Sequence, residues 1–365
     1  MKELEYSFGP WSTHVVLTED TPWPTRAWEP ARRPRGCSLG VFDQNTWRLF
    51  GPALEGTSGV EDRCVLPGGE EAKRWESVLG IASRAVDAGL GRDGWFLAVG
   101  GGAVCDVTAF AASVYMRGAM LHLVPTTLLA MVDASLGGKT GVDFAGLKNM
   151  LGSFYPAHRV DLPLDALCSL PEGEYRSGLG EVLKTALLGD AELYRLLAVR
   201  SEAVLSRDRA TMADVVARCL GVKAAIVARD PRESGDRAFL NLGHTFAHAL
   251  ESVAGLGTIR HGEAVAWGLG RAMELGARLA LTPPRYRDEV MDLLSRYGFA
   301  TGGAAQLLAG RPEAQAHAAD RLLEVMRGDK KKRSGRIRFV LQRAHADTVV
   351  SSEVPEHALR AVLEG

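Results

Sequence analysis

The sequence predicts an α/β N-terminal domain, residues 1–165, and a mostly α-helical C-terminal domain, residues 166–365. Up to about residue 165, short apolar runs alternate with helical patterns, which is typical of a parallel sheet with crossover helices. From Pro171 onward, apolar residues recur with helical periodicity in most segments. A chain of 365 residues is long enough for two such domains.

The composition excludes several classes of protein. A net charge of −1 gives no indication of nucleic acid or an anionic membrane as partner. The N-terminus lacks the apolar core of a signal peptide, and no apolar run approaches membrane-spanning length, so we expect a cytoplasmic protein. The cysteines are scattered without a C-x-x-C pair, which indicates reduced thiols rather than a cysteine-ligated zinc; they are Cys37, Cys64, Cys105, Cys168 and Cys219.

The first 65 residues of the N-terminal domain are predicted to be irregular, with one strand among them. Thr21 to Gly36 is predicted to be a Pro- and Arg-rich loop that leads into this strand, CSLGVFD. A helix is predicted from Glu71 to Ala88, followed by the strand WFLAVGGG, the helix AVCDVTAFAASVYM and the strand AMLHLVPTT. The segment VDASLGGKTGVDFAGLKN is predicted to be a Gly-rich loop.

The C-terminal domain is predicted to consist of helices and one strand. Helical periodicity is found in PEGEYRSGLGEVLKTALL, residues 210–228, AFLNLGHTFAHALESVAG, GEAVAWGLGRAMELGARLAL and RYRDEVMDLLSRYG. The strand RIRFVLQ follows the basic turn RGDKKKRSG.

A glycine triplet marks a candidate nucleotide site. Gly100, Gly101 and Gly102 close a strand and open a helix, and we expect Asp106 in the first helical turn. Glycines at such a turn let the backbone approach a pyrophosphate, and the helix N-terminus offers unpaired N–H groups. The G-x-G-x-x-G fingerprint is absent, so a tight turn without a ligand is the alternative.

Two further features favour a Rossmann-like site for a nicotinamide dinucleotide. Asp43 ends the strand LGVFD, where a carboxylate can bind the ribose hydroxyls of adenosine. Thr126 and Thr127 end the next strand, where their hydroxyls would face a nucleotide.

The stretch NLGHTFAHALE indicates a second candidate site. On a continuous helix, Asn241, His244 and His248 would share one face, opposite an apolar side. Two partly buried structural histidines would explain this pattern, and so would a metal or catalytic site.

Other residues can complete a metal site. Glu181 and Lys184 are three residues apart among small apolar neighbours, so they form either a surface ion pair or a buried charged pair that needs partners or a metal. Glu181, His244 and His261 together would offer one oxygen and two nitrogen donors, which leaves a position open as in catalytic zinc sites. His248 would then be an acid or base rather than a ligand.

Cationic side chains indicate an anionic substrate. A surplus of lysine and arginine suits a molecule that carries both a phosphate and a carboxylate, whereas a simple alcohol would not need it. The cations are Lys139, Lys148, Lys184, Lys223, Arg237 and Lys330.

In these residues and their neighbours, the sequence resembles the sugar phosphate cyclase family, most closely its 3-dehydroquinate synthase branch. The resemblance runs from about Pro67 to Leu341. Its motifs are PGGEEAK, GGGAVCD, YMRG, VPTTLLAMVDASLGGKTG, LKNMLGSFYP, LPEGEYRSGLGEVLK, RDPRESGDRAFLNLGHTFAHALE, RHGEAVAWG and DKK. Such an ordered series is far more specific than any single motif.

The resemblance implies roles for individual residues. A zinc ion is implied on Glu181, His244 and His261, with Co2+ as an alternative metal. NAD contacts are implied for Asp43, Asn45, Glu70, Lys73, Gly101, Gly102, Asp106, Thr126, Thr127, Lys139 and Lys148. Catalytic or substrate-binding roles are implied for Arg117, Asp133, Lys139, Lys148, Asn149, Lys184, Lys223, Arg237, Asn241, His248 and Lys330. Arg117 would reach into the active site of a neighbouring subunit, so a homodimer is implied.

The resemblance also implies a reaction. The sugar phosphate 3-deoxy-D-arabino-heptulosonate 7-phosphate would be cyclised to 3-dehydroquinate with loss of phosphate, a step of the shikimate pathway of aromatic amino acid biosynthesis. NAD would remove a hydride and later return it, so the reaction is redox-neutral. The phosphate is expected to contact Lys139, Asn149, Asn241, Lys330 and Arg117; the carboxylate is expected to contact Lys223 and Arg237, while His248 manages the hydroxyl proton.

Three alternatives stay open. A 3-amino-5-dehydroquinate synthase fits the small departures from the family pattern, such as Leu147 directly before Lys148 and Gly180 where alanine is common. A metal-dependent NAD alcohol or glycerol dehydrogenase would consume NAD stoichiometrically. A non-catalytic scaffold would be expected to lack at least one of the three zinc donors.

Overall fold

The computed structural model describes residues 1–19, 38–55, 60, 62–255, 257–332 and 337–365, without the side chains of 329–332. The predicted loop from Thr21 to Gly36 and Cys37 lie outside the described residues, as does part of the basic turn. The chain divides into two compact units. The first comprises Met1–Tyr175 and Met212–Arg232, and the second comprises Arg176–Thr211 and Glu233–Gly365.

The secondary structure alternates between strands and helices before it becomes mainly helical. The strands are β1 (Lys2–Phe8), β2 (Trp11–Thr18), β3 (Ser38–Asp43), β4 (Asp62–Leu66), β5 (Trp95–Gly100), β6 (Met120–Pro125), β7 (Lys139–Phe144), β8 (Leu147–Phe154), β9 (Arg159–Pro163), β10 (Phe339–Ala344) and β11 (Asp347–Ser351). The α-helices are α1 (Gln44–Leu54), α2 (Trp75–Asp87), α3 (Gly102–Val114), α4 (Glu172–Gly189), α5 (Ala191–Val199), α6 (Ser201–Leu205), α7 (Arg209–Arg229), α8 (His244–Ala254), α9 (His261–Arg278), α10 (Pro284–Arg296), α11 (Ala304–Leu307), α12 (Pro312–Gln315), α13 (Ala318–Lys332) and α14 (Glu356–Glu364). Within the part of the chain that the structure describes, none of the helices combines the length and apolar character that a bilayer crossing requires.

A mostly parallel sheet forms the core of the first unit. Its strand order is β1-β2-β9-β6-β5-β3-β4, and only the β1–β2 pair is antiparallel. Every residue of β3 is buried, as expected for a strand covered on both faces. The carboxyl ends of β3, β5 and β6 lie at one edge of the sheet because these strands run in the same direction. This edge carries Asp43, the glycine triplet and the two threonines.

The second unit is mainly helical, and α9 lies at its centre. This helix packs against α8, α10 and α14 and against the hairpin strand β10. Trp267 of α9 meets Phe246 of α8 edge to face, with ring centroids 6.4 Å apart. Buried Arg271 of α9 donates from Nη1 to the Val362 carbonyl at 2.8 Å, which ties the C-terminal helix α14 to the core. The predicted fold class, an α/β domain followed by a mostly helical one, is confirmed.

The strand CSLGVFD is confirmed as β3, but the prediction that the first 65 residues are otherwise irregular is wrong. The described part of this region also contains β1, β2, β4 and α1. Strand β2 contains a run of buried residues, Val15 to Leu17, because it lies between β1 and β9 within the sheet. Such a continuous apolar run in a short segment is the pattern of an internal strand.

The Gly-rich segment after β6 is not a loop, contrary to the prediction. It forms a short π-helical turn, Ala130–Ala134, followed by the β7–β8 hairpin. The turn residues Ala145 and Gly146 both have positive φ, +51° and +75°, as required for a tight hairpin turn whose twist matches its strands. Gly146 marks the hairpin because its position at the tip needs left-handed backbone geometry, which Ala145 adopts as well.

Several element boundaries also differ from the predictions. The helix predicted from Glu71 starts at Trp75, since Gly69 has a φ of +70° and a 3-10 turn occupies Gly69–Ala72. Asp106 lies beyond the first turn of α3, which starts at Gly102. The C-terminal region holds a second strand, β11, which pairs with β10.

Contrary to the prediction, Asn241 does not share a helix with His244. It ends a 3-10 helix, Asp236–Asn241, and α8 begins at His244 after Gly243. Gly243 has a φ of +81°, and a Cβ there would lie 2.9 Å from the Leu269 backbone nitrogen. The chain turns at Gly243 because α8 and α9 approach too closely for a side chain.

The first unit contains a buried charged cluster on neighbouring strands. Asp161 of β9 lies 2.8 Å from Arg159 Nε and 3.1 Å from His122 Nε2 of β6. Burial raises the pKa of Asp161, but the positive partners outweigh burial and hold the pKa below its ordinary value. A carboxyl with a depressed pKa stabilises the fold above its unfolded pKa of about 3.9, and this contribution is lost as pH falls further.

We therefore expect Asp161→Asn to lower the free energy of unfolding by about 3 kcal/mol at neutral pH, since it leaves the charge of Arg159 buried without a carboxylate. Urea unfolding followed by circular dichroism measures this difference. The matched control is Asp214→Asn, which breaks an exposed ion pair with Arg218 and should cost less than about 1 kcal/mol. Equal losses in both variants would contradict the assignment.

Candidate active site

The glycine turn has the geometry predicted from the sequence. Gly100 is the last residue of β5, Gly101 precedes α3, and Gly102 is the first helical residue. The Thr126 N–H donates to the Gly100 carbonyl at 2.9 Å, and a Cβ on Gly101 would lie 3.2 Å from Thr127 Cγ2. The two threonines therefore lie directly beside the N-terminus of α3, a suitable place for a pyrophosphate.

Asp43 and Asn45 lie at the same edge of the sheet. Asp43 caps α1, because its Oδ1 accepts from the Thr46 N–H at 2.8 Å. The Asn45 amide lies 2.9 Å from the place where a Cβ of Gly68 would be. Asp43 thus has a structural role as a helix cap whether or not it also binds a ribose.

Lys73 links two parts of the first unit. Its Nζ donates to Asp106 Oδ2 at 2.7 Å and to Asn149 Oδ1 at 2.5 Å. Burial lowers the pKa of Lys73, but the negative charges of Asp106 and Glu70 outweigh burial and raise the pKa above its ordinary value. The charged lysine therefore connects two residues predicted to serve the cofactor and the substrate phosphate.

The β7–β8 hairpin carries several of the predicted anion-binding residues. Lys139 is the first residue of β7, while Lys148 and Asn149 are exposed residues of β8. Asn149 has a φ of +53°, and its N–H donates to Asp143 Oδ1 at 2.8 Å. This hydrogen bond holds a left-handed residue within the strand.

Lys223 binds the turn that precedes the hairpin. It is buried in α7, and its Nζ donates to the Asp133 carbonyl oxygen at 2.6 Å and to Asp133 Oδ1. Both residues were predicted to belong to the site, and they form a charge-assisted pair within the first unit.

In the second unit, α4 and the start of α9 meet backbone to backbone. A Cβ on Gly180 would lie 2.0 Å from the Gly262 carbonyl oxygen, and a Cβ on Gly262 would lie 1.7 Å from the Ser177 carbonyl oxygen. The Gly262 N–H donates to Ser177 Oγ at 3.0 Å. At this separation neither position has room for a Cβ, and the approach brings Glu181 beside His261.

The far end of α4 is held by the β10–β11 hairpin. The Ala346 N–H donates to the Leu187 carbonyl at 3.1 Å, and His345 Nε2 lies 2.8 Å from the Ala186 carbonyl. These contacts satisfy carbonyls that a helix C-terminus leaves open. Helix α4, which carries Glu181 and Lys184, is thus held by α9 near its middle and by the hairpin at its C-terminal end.

Glu181, His244 and His261 converge. One donor atom from each lies within 4.8 Å of the others. Glu181 Oε1 is 3.7 Å from His244 Nε2 and 3.4 Å from His261 Nε2. One carboxylate oxygen and two imidazole nitrogens are the donor set of a catalytic zinc site with an open position.

The surroundings of the three donors suit a metal. Glu181 is fully buried and forms an ion pair with buried Lys184. His244 Nδ1 lies 3.3 Å from the Leu242 carbonyl, and His261 Nδ1 lies 3.6 Å from Glu251 Oε2. Each histidine thus directs Nε2 toward Glu181 and Nδ1 toward an acceptor, as metal-bound histidines commonly do.

The two histidines titrate in opposite directions. Burial and the charge of Lys184 lower the pKa of His244 to about 3. Burial also acts to lower the pKa of His261, but hydrogen bonding and charge attraction from Glu181 and Glu251 raise it to about 9. Without a metal, His244 is therefore neutral and His261 is charged at neutral pH, so metal binding must displace a proton from His261.

The other predicted residues of the second unit lie on α8, on the 3-10 helix before it and on α13. His248 lies one turn after His244, and its ring stacks on His261 with centroids 6.2 Å apart. Arg237 is buried, and Asn241 Nδ2 donates to Glu233 Oε1 at 3.2 Å. Lys330 belongs to α13, and its side chain is not among those that the structure describes.

Two acidic residues near these groups were not predicted from the sequence. Glu251 follows His244 by seven residues, or two helical turns, so the spacing offered a signal for a shared helix face. Glu233, the partner of Asn241, lies in an aperiodic segment and has a φ of +58°, for which the sequence gives no signal.

The comparisons with known proteins agree with this site. The family model for the N-terminal domain of 3-dehydroquinate synthase matches residues 63–177, and the model for its C-terminal domain matches residues 178–332. The chain belongs to the 3-dehydroquinate synthase family. It is an enzyme of the family's kind, a phosphate-eliminating cyclase.

Relatives in this family match most of the chain. It is 43% identical over 328 residues to 3-dehydroquinate synthase of Acidithiobacillus ferrooxidans, which covers 89% of this chain and 87% of the relative. It is 39% identical over 312 residues to that of Caulobacter vibrioides, which covers 85% of this chain and 83% of the relative.

Solved structures support the same fold. The 2-epi-5-epi-valiolone synthase of Streptomyces hygroscopicus, solved with NAD+ and Zn2+, has a TM-score of 0.83 at 27% identity, covering 100% of this chain and 97% of that one. A glycerol dehydrogenase of Schizosaccharomyces pombe has a TM-score of 0.62 at 16% identity, covering 90% and 82%, and it resembles this chain in fold alone.

We expect His244→Ala to abolish metal binding and to leave NAD binding close to that of the parent. Mutation of a residue that contacts a metal ligand weakens metal affinity roughly 10- to 100-fold. Loss of one of the three donors themselves should weaken the zinc affinity by more than this. Competition with a chelator measures the zinc affinity. The control is His317→Ala, because this histidine is exposed. This variant should bind zinc with the affinity of the parent. Unaltered zinc affinity of His244→Ala would refute the donor set.

Proposed function

We propose that this enzyme converts 3-deoxy-D-arabino-heptulosonate 7-phosphate to 3-dehydroquinate, with bound NAD and a divalent metal, Zn2+ or Co2+. One observation carries the proposal: Glu181, His244 and His261 bring three metal donors together in a chain of the 3-dehydroquinate synthase family. A bound metal would polarise a substrate oxygen, and bound NAD would accept and return a hydride.

The residues around the donors support a proton-handling role for His248. Its ring is 5.4 Å from that of His244 and stacks on that of His261, so it lies one turn from the donor set. We assign to His248 the transfer of the substrate hydroxyl proton. Lys184 forms an ion pair with the buried Glu181 and so provides a cationic partner for this carboxylate.

We assign NAD binding to the N-terminal domain, residues 1–165, and metal and substrate binding to residues 166–365. Met212–Arg232, although in the second of these ranges, belongs to the first compact unit. The glycine turn and the adjoining threonines support the cofactor role. The residues assigned to NAD are Asp43, Asn45, Glu70, Lys73, Gly101, Gly102, Asp106, Thr126, Thr127, Lys139 and Lys148.

The cationic residues are assigned to the two acidic groups of the substrate. Lys139, Asn149 and Asn241 are proposed for the phosphate, together with Lys330. Lys223 and Arg237 are proposed for the carboxylate. Both are buried cations, and burial strengthens charge-assisted hydrogen bonds to an anion. Asp133 would hold Lys223 in place.

We also propose a homodimer in which Arg117 serves the neighbouring subunit. Arg117 is exposed, with a φ of +66°, next to the exposed apolar residues Val114 and Met116. The β7–β8 hairpin lies against this segment, since its Ser153 Oγ donates to Ser113 Oγ at 2.8 Å. Phe154 of the same hairpin is exposed. Exposed apolar groups gathered around one arginine suit an interface with a second copy.

We propose a cytoplasmic location. The described cysteines are thiols and not disulfides, and reduced thiols are typical of that compartment. They are Cys64, Cys105, Cys168 and Cys219.

The amino analogue of the substrate remains a second candidate. A 3-amino-5-dehydroquinate synthase would need the same cations and metal donors. Gly180, where alanine is common in the family, does not distinguish the two, since it is explained by the close contact of α4 with the Gly262 carbonyl.

A phosphate-release assay should show turnover of the heptulosonate phosphate and little or none of sedoheptulose 7-phosphate or glucose 6-phosphate, because the latter two lack a carboxylate for Lys223 and Arg237. Catalytic NAD should suffice. Accumulation of one NADH per substrate would favour a dehydrogenase, and preference for the amino analogue would favour the second candidate.

Lys223→Gln should reduce kcat/KM for the heptulosonate phosphate by about 10- to 100-fold, the cost of losing a hydrogen bond to a charged group. Steady-state kinetics measure this loss. Arg229→Gln is a matched control, since it removes an exposed cation from the same helix. Unchanged kinetics for Lys223→Gln would show that the carboxylate lies elsewhere.

A further inference from the structure

A second buried carboxylate lies beside the metal donors. Glu251 belongs to α8, two turns after His244, and is 4% exposed. Its Oε2 is 3.6 Å from His261 Nδ1. The opposite nitrogen of the same ring, Nε2, is 3.4 Å from Glu181 Oε1. The His261 ring is thus placed between two carboxylates that stand on different helices.

The two carboxylates differ in their relation to the donor set. Glu181 supplies one of the three converging atoms, whereas Glu251 faces only the side of His261 that points away from them. An imidazole can bind a metal through Nε2 only if that nitrogen carries no proton. An acceptor beside Nδ1 keeps the remaining proton on Nδ1 and leaves Nε2 as a lone-pair donor.

The comparison with His244 makes this arrangement clearer. His244 Nδ1 faces a backbone acceptor, the Leu242 carbonyl, at 3.3 Å. Both histidines are the first residues of their helices, but the side chain of His261 is the more exposed of the two. It therefore depends more on a side chain to fix its orientation.

A buried carboxylate is costly unless it has a cationic or hydrogen-bonding partner. The residues beside Glu251 on the buried face of α8, Ala247 and Leu250, are apolar. A neutral side chain would satisfy packing at this position, so the presence of a charge indicates a role beyond packing.

We propose that Glu251 is a positioning residue that orients His261 and fixes its Nδ1-protonated tautomer for metal binding. The inference rests on the proposed function, since it requires the metal site to exist. Glu251 does not itself bind the metal, and it acts through His261.

The test uses the full-length protein stripped of metal, with Zn2+ and Co2+ as probes and without substrate. Glu251→Gln keeps the shape of the side chain and removes its charge, while Glu251→Ala removes both. Competition with a chelator should show zinc binding about 10- to 100-fold weaker in Glu251→Gln, and at least as weak in Glu251→Ala. The visible absorption bands of the Co2+ form should shift, because the orientation of one ligand changes.

The control is Glu274→Gln, which removes another carboxylate from contact with a basic residue. Glu274 lies on the same helix as His261 but far along it, 3.8 Å from Arg287. This variant should match the parent in zinc affinity and in the Co2+ spectrum. Circular dichroism and NADH binding of each metal-free variant show whether the fold is retained.

Three outcomes separate the possibilities. A space-filling role predicts that Glu251→Gln keeps the zinc affinity and Co2+ spectrum of the parent, which would overturn the inference alone. Weaker zinc binding with an unchanged Co2+ spectrum and a lost fold would also overturn it, as a structural role explains that result. A parent protein that binds no zinc would overturn the proposed function together with the inference.

Discussion

The close contact between α4 and the N-terminus of α9 is the constraint on which the candidate metal site depends. Gly180 and Gly262 bring two helix backbones to a separation at which no side chain fits between them. Glu181 follows Gly180 and His261 precedes Gly262, so the contact places these two donors face to face. At this separation a Cβ at either glycine would require the helix backbones to shift.

The charges around this contact form one connected set. Glu181 is fully buried, and it is tolerated there because Lys184 and two histidines surround it. Glu251 adds a second buried carboxylate behind His261. A metal that binds these groups in the folded state and not in the unfolded chain should stabilise the fold as well as provide chemistry.

The first unit positions its residues in a different way. Parallel strands end at one edge of the sheet, which places Asp43, the glycine turn and the threonines side by side without special packing. The β7–β8 hairpin is then tied to this edge by Lys73, whose side chain reaches Asn149 and whose carbonyl accepts from the Asp143 N–H at 2.8 Å. One lysine thus couples a residue assigned to the substrate with Asp106, assigned to the cofactor.

The sequence by itself determined the fold class, the glycine turn and the three candidate metal donors, because helical and strand periodicity and donor chemistry are local properties that the residue order records. It failed where geometry depends on distant partners. Strand β2 is fixed by pairing with β9, the break before His244 by the approach of α9, and the position of Glu251 behind His261 by the packing of two helices. Only the tertiary structure decides such features, since they arise from contacts between residues far apart in the chain.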